Sequence, residues 1–148
     1  MNVEQIIKTS RPLPIETRTI IHLVLVNNKI NETISVALKP FEVSIEQFNV
    51  LRILKGQKSQ PANLSTINER MVTKMSNTTR LIDKLILKKF VNRVPCKTNR
   101  RKIEISITEE GKLALEKMSV AVTNSQNQLL ESLSKEELNI LNNLLDKF

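Results

Sequence analysis

A mainly helical fold with one small β-hairpin (α+β) is what the sequence predicts, and three observations carry that expectation. The 148 residues include only two glycines and four aromatic side chains, all Phe, against 40% hydrophobic content, which disfavours a sandwich of short strands joined by glycine-rich turns. Prolines at 12, 14, 40, 61 and 95 punctuate the chain, and the stretches between the first four carry apolar residues at helical spacing. Beyond position 100 the apolar period shortens from about 3.6 to 2. The length suits one compact core, able to bury roughly 68–70% of the surface of the unfolded chain.

Ile15 to Leu38 reads as the first long helix, with Val26, Ile30, Ile34 and Leu38 at i+4 steps and Leu23 extending the same face. Its centre, Ile20 to Val26, is apolar on nearly every side; propensity alone would allow a strand there, but the i+4 series and the length favour a helix. Such a helix must be covered on several faces, which suggests a partner chain. The next helix opens on a capping box, Ser44 with Gln47, and Val43 can staple onto Phe48. Leu51 and Leu54 or Ile53 continue its inner face, and Gly56 offers a left-handed stop. After Pro61 a short helix from Leu64 to Met71, capped by Asn63, presents Leu64, Ile67 and Met71 inward.

The following helix, about Lys74 to Lys88, is the most informative piece. Leu81, Ile82 and Leu85 face the core, while Asn77, Arg80, Lys84 and Lys88 succeed one another at +3, +4 and +4 on another face. Two short helices in tight succession, the second polar and basic from its first turn, form the pattern of a helix-turn-helix. Ile103, Ile105 and Ile107 then alternate with Glu104, Ser106 and Thr108, giving a strand that Phe90 to Val94 can pair with antiparallel. The tip between them, Pro95 to Arg101, is a basic wing.

Thr108 can cap a final long helix running to Leu133, with Glu109 and Glu110 set against the positive end of its dipole. Ser134 and Glu137 form another capping box, and Leu138, Leu141, Leu144, Leu145 and Phe148 make an apolar stripe. That stripe and the first helix most simply form the interface of a C2 homodimer. The predicted architecture is therefore a winged helix-turn-helix over 41–108, flanked by dimerisation helices in 1–40 and 109–148.

Charge points to a polyanionic partner. Between Arg70 and Lys102 lie eleven basic residues and one acid, Asp83, whereas the rest of the chain is slightly acidic. A solvated charge run usually mixes signs; this one does not, and its field suits nucleic acid. Cys96 is alone, so an intramolecular disulfide is excluded and a reducing cytoplasm is expected. The longest apolar run is too short to span a bilayer, the first ten residues lack the features of a signal peptide, and no membrane partner is expected. One His and one Cys, far apart in sequence, supply no zinc set; with no glycine-rich phosphate loop and no nucleophile triad, neither a cofactor nor an enzyme is expected.

From Ser44 to Leu115 individual residues add to the pattern: Thr79-Arg80-Leu81-Ile82-Asp83-Lys84-Leu85, Phe90-Val91-Asn92-Arg93, Asn99-Arg100-Arg101, and Ile107-Thr108 with Gly111. In these motifs and in helix order the chain resembles the multiple-antibiotic-resistance regulator (MarR) family. The resemblance implies a homodimer that places two winged domains in successive major grooves of a pseudo-palindromic operator. It also implies repression relieved by a small phenolic or lipophilic ligand or by cysteine oxidation. Two positions depart from the family pattern. Asn99 stands where an Asp usually pairs with the arginine two residues on, and Lys89 replaces the glycine that usually ends the recognition helix. If the backbone at Lys89 is left-handed, an altered cap or a modest loss of stability follows.

The candidate DNA contacts are then Lys74, Ser76, Asn77, Thr79 and Arg80 near bases and flanking phosphates, and Lys84 and Lys88 at phosphates further along the helix. From the wing come Lys97, Asn99, Arg100 and Arg101, with Arg101 reaching into the adjacent minor groove. Structural alternatives stand beside each: Ser76 as a cap, Arg80 paired with an acid, the wing arginines solvated. His22 is a candidate ligand contact or a satisfied interface histidine, and Cys96 a conceivable redox switch. Two other functions would use the same cations, a protein-interaction module docking on an acidic partner and a non-specific nucleic-acid architectural role.

Overall fold

The computed structural model describes residues 1–57, 60–73, 77–96 and 103–148. It opens on a helix the sequence pattern did not reveal, α1 (Val3–Ile6), whose Asn2 side chain accepts the Gln5 N–H at 2.9 Å. Val3 is fully buried, and Arg18 Nε donates to Glu4 Oε1 at 2.8 Å, holding α1 against α2 (Ile15–Leu38). A backbone hydrogen bond first, and Arg18 second, keep the Glu4 carboxyl below its ordinary pKa. The bounds of α2 are those read from its periodicity. It packs along the long helix near the C-terminal end of the chain, α6 (Glu109–Leu130), yet Ile20, Val24 and Val26 remain exposed, in line with a helix apolar on more sides than one neighbour can cover.

A 3₁₀ turn, Lys39–Phe41, follows around Pro40, and Glu42 leaves it in the left-handed region at φ 53°. Helix α3 (Ile45–Gly56) has the expected capping box: Ser44 N–H donates to Gln47 Oε1 at 2.9 Å and Gln47 N–H to Ser44 Oγ at 3.2 Å. Gly56 is not a left-handed stop. It closes the helix itself, and Gln57, at φ −75°, tightens the end by donating its N–H to the Leu54 carbonyl. Helix α4 (Leu64–Arg70) is capped by Asn63, which accepts the Thr66 N–H at 2.8 Å.

Helix α5 spans Thr78–Leu87, with Asn77 as N-cap but making no side-chain cap bond, and the start expected near Lys74 lies outside the described residues. Its C-terminal end is a Schellman motif: Phe90 N–H donates to the Leu85 carbonyl at 3.0 Å and Lys89 N–H to Ile86 at 2.8 Å. Lys89 is left-handed at φ 60°, the strained position foreseen for it. Phe90, expected to begin the strand, belongs to this cap instead.

Strands β1 (Val91–Pro95) and β2 (Ile103–Ile107) pair antiparallel with Val91 opposite Ile107, Arg93 opposite Ile105 and Pro95 opposite Ile103. Pro95 is thus a strand residue rather than part of the tip. The buried face fades outward, from Ile105 fully buried to Ile103 exposed. Ala62 adds a one-residue third strand, donating to and accepting from Ile105 at 2.9 and 2.7 Å.

Helix α6 (Glu109–Leu130) ends three residues short of the expected Leu133. Its cap residue Thr108 accepts the Gly111 N–H at 2.9 Å and donates its hydroxyl to the Lys89 carbonyl at 2.7 Å, tying α6 to the end of α5. Gly111 must be glycine for this contact, because a Cβ there would collide with the Phe90 carbonyl oxygen and sit 2.9 Å from Ile107 Cγ1. After a short turn, α7 (Lys135–Leu145) starts on the Ser134 capping box and buries none of its residues. One core joins Val50, Leu51, Ile67, Ile82, Leu85 and Ile105 to Leu38 of α2 and Leu115 and Met118 of α6. Among the described residues no helix is long and apolar enough to cross a membrane.

Candidate nucleic-acid interface

Helix α5 is gripped on its inner side by Ile82 and Leu85, fully buried, and by Thr78, whose hydroxyl donates to Asn68 Oδ1 of α4. With that side fixed, its period places Thr79, Arg80 and Lys84 in solvent, and Asn77 is exposed just before it. Arg80 and Lys84 are one turn apart, and neither has an ion pair with another described residue. The alternative in which Arg80 pairs with an acid has no support among those residues.

Arg80 occupies the first turn of α5, which carries no acid. A cation there opposes the helix macrodipole and works against the helix by about 0.3–1 kcal/mol. The same placement adds a guanidinium to the positive end of the helix, where an approaching anion meets both. The arrangement suits an anion better than it suits the helix.

Two other cations of the basic segment have acidic partners. Arg93 on β1 donates to Asp83 of α5 at 2.8 Å, so the single acid of the segment is spent in fastening the hairpin to the helix. Lys88, the last member of the basic row, is half-buried and donates to Glu42 Oε2 at 3.0 Å. Sequence reasoning missed Glu42, Asp83 and Thr78 in these roles, since all three act through partners ten or more positions away. Lys89 is exposed. Lys74, Ser76, Lys97, Asn99, Arg100 and Arg101 lie outside the described residues. His22 is half-buried on α2 and contributes, as the smallest cause, to lowering the pKa of Glu4. Cys96 is half-buried, immediately after β1. No group of three or more His, Cys, Asp or Glu among the described residues could hold a metal ion.

Three short helices, a two-stranded hairpin with a one-residue third strand, and exposed cations on the third helix define a winged helix-turn-helix. Residues 43–103 match the model of the MarR family. The chain therefore carries a stretch similar to the MarR family that takes in most of its winged unit. It is 28% identical over 120 residues to the HTH-type transcriptional regulator YhbI of Bacillus subtilis, covering 81% of this chain and 68% of the relative. Its fold is similar to that of a MarR-like transcription regulator from Bacillus cereus, with TM-score 0.79 and 22% identity over 90% of this chain and 96% of the other. It is also similar to a mutant of MarR from E. coli solved in complex with operator DNA, with TM-score 0.76 and 22% identity over 99% and 98% of the two chains.

Proposed function

We propose that the chain acts as a homodimer that recognises a pseudo-palindromic operator in duplex DNA and represses transcription from it. The observation that carries this reading is the row on α5: Arg80 and Lys84 stand in solvent, one turn apart, without an ion pair among the described residues. Asn77, Thr79 and Arg80 would meet base edges and the flanking phosphates, and Lys84 a phosphate further along. Lys74 and Ser76 belong to the same group by sequence. Lys97, Asn99, Arg100 and Arg101 would extend it into the neighbouring minor groove from the wing.

In this reading residues 41–108 read DNA, while 1–40 and 109–148 hold two copies together. The apolar side chains left uncovered on α2 and α7 support the second half of it. A small phenolic or lipophilic ligand that weakens operator binding completes the proposal, with His22 its candidate contact. Acting on duplex DNA places the protein in the cytoplasm.

The test is operator binding over a range of salt. Wild type should lose log affinity linearly with log salt, about 0.9 per phosphate neutralised. Arg80→Ala and Arg101→Ala should each weaken binding to a selected duplex. Unchanged affinity in both variants would refute the assignment of the surface. Capture of a single acidic protein with no enriched duplex would replace it with a protein-docking function, and equal affinity for random and selected duplexes with a non-specific architectural one.

A further inference from the structure

We propose that Glu42 is a built-in competitor for the DNA phosphate that Lys88 would contact: its carboxylate engages Lys88 in the free protein and must give it up when the protein binds duplex. The inference rests on the DNA-binding reading above and adds an affinity-setting residue to it.

Asn77, Arg80, Lys84 and Lys88 follow one another along one face, and the first three are exposed. The fourth is half-buried, with its ammonium 3.0 Å from Glu42 Oε2. The partner does not come from the helix or its hairpin. It comes from the junction between α2 and α3, forty-six positions earlier in the chain.

Glu42 is held in place on both sides. Its own N–H donates to the Lys39 carbonyl at 3.0 Å, Val43 is buried and Ser44 caps α3. The backbone at Glu42 is left-handed, which a side chain with a Cβ adopts uncommonly, so the direction in which the carboxylate leaves the chain is set by the fold. Lys39 and Glu32 line the same shallow groove as Glu42, and the Lys88 ammonium reaches the Glu42 carboxylate from the end of α5.

Energetics allow the exchange. The carboxylate side of the pair is largely solvent-exposed, and such a pair contributes about 0–1 kcal/mol, enough to orient Lys88 but not to retain it against a phosphate in a dense polyanion. Once Lys88 has moved, Glu42 is left as an uncompensated negative charge beside the DNA backbone. Both effects have the same sign: Glu42 lowers affinity. Because the contested contact is to phosphate, the penalty applies to any sequence and leaves operator preference intact.

The experiment uses the full chain as wild type, Glu42→Gln, Lys88→Gln, the double variant and Arg80→Ala. Each is titrated by fluorescence anisotropy against a duplex enriched by the wild type and against a random duplex of equal length. Glu42→Gln should bind both duplexes tighter, by about threefold to fivefold. Lys88→Gln should bind both more weakly, and the gain from Glu42→Gln should shrink in the Lys88→Gln background. Thermal unfolding of each variant checks that it is folded. If Arg80→Ala weakens binding but Glu42→Gln leaves it unchanged or weaker, Glu42 is only a structural tie and the inference fails while the DNA reading stands. If no variant alters duplex binding, the DNA reading fails and takes this inference with it.

Discussion

The helix-turn-helix and the last helix are written in the same amphipathic code but reach opposite outcomes. In α3, α4, α5 and β2 the apolar residues Val50, Leu51, Ile67, Ile82, Leu85 and Ile105 are all fully buried. In α7 the capping box forms as well as it does in α3, yet Ile140 is 59% exposed and Leu144 51%, and Phe148 just beyond the helix is 88% exposed. Caps and periodicity therefore make a helix in either place. What differs is the cover: the winged unit is covered within the chain, by its own elements and by α2 and α6, whereas α7 is left uncovered, as expected of the proposed dimer surface. Stability of the first region should be intramolecular, and that of the second should depend on concentration.

The sharpest way to break this contrast is in the core. Ile82→Ala should remove about 2–5 kcal/mol of unfolding free energy, measured by urea denaturation, with no dependence on protein concentration. Gly111→Ala follows, since the added methyl meets the Phe90 carbonyl; a loss of about 1–3 kcal/mol in the same assay is expected. In the terminal region the joint change Leu141→Ala and Leu144→Ala should leave monomer helicity intact but raise the dissociation constant of the dimer about tenfold or more, read by sedimentation equilibrium. An unaltered constant would place the interface elsewhere. The smallest effect has the opposite sign: Lys89→Gly relieves a left-handed lysine in the Schellman motif and should raise stability by about 0.5–1 kcal/mol.

Local signals explain what could be read in advance. Ser44, Asn63, Thr108 and Ser134 each announce a helix through bonds spanning three residues, and the structure has all four caps. The alternation of Ile103, Ile105 and Ile107 likewise names a strand from its own neighbours. The misses are contacts between distant parts of the chain. Ala62 pairs with Ile105 across forty-three positions, Lys88 with Glu42 across forty-six, and no local pattern marks either. Gly56 misled because glycine permits a left-handed turn without requiring one, and Gln57 closed the helix by other bonds. Helix α1 has four residues and depends on Val3 burial and the Arg18 contact, so its own sequence holds too few turns to display a period. At the candidate interface the basic row was legible as spacing, but which members of it keep their charge unpaired depended on tertiary partners.

As proposed, two copies of the winged unit, joined through the terminal helices, present their α5 rows to one face of a DNA duplex. The decisive measurement is selection of duplexes from random DNA by the 148-residue chain, followed by footprinting. The account predicts an enriched inverted repeat whose half-site centres lie about 10–10.5 base pairs apart, or a multiple of that spacing, protected at a stoichiometry of two chains per site. A single unrepeated half-site bound by one chain, or no enrichment at all, would contradict it.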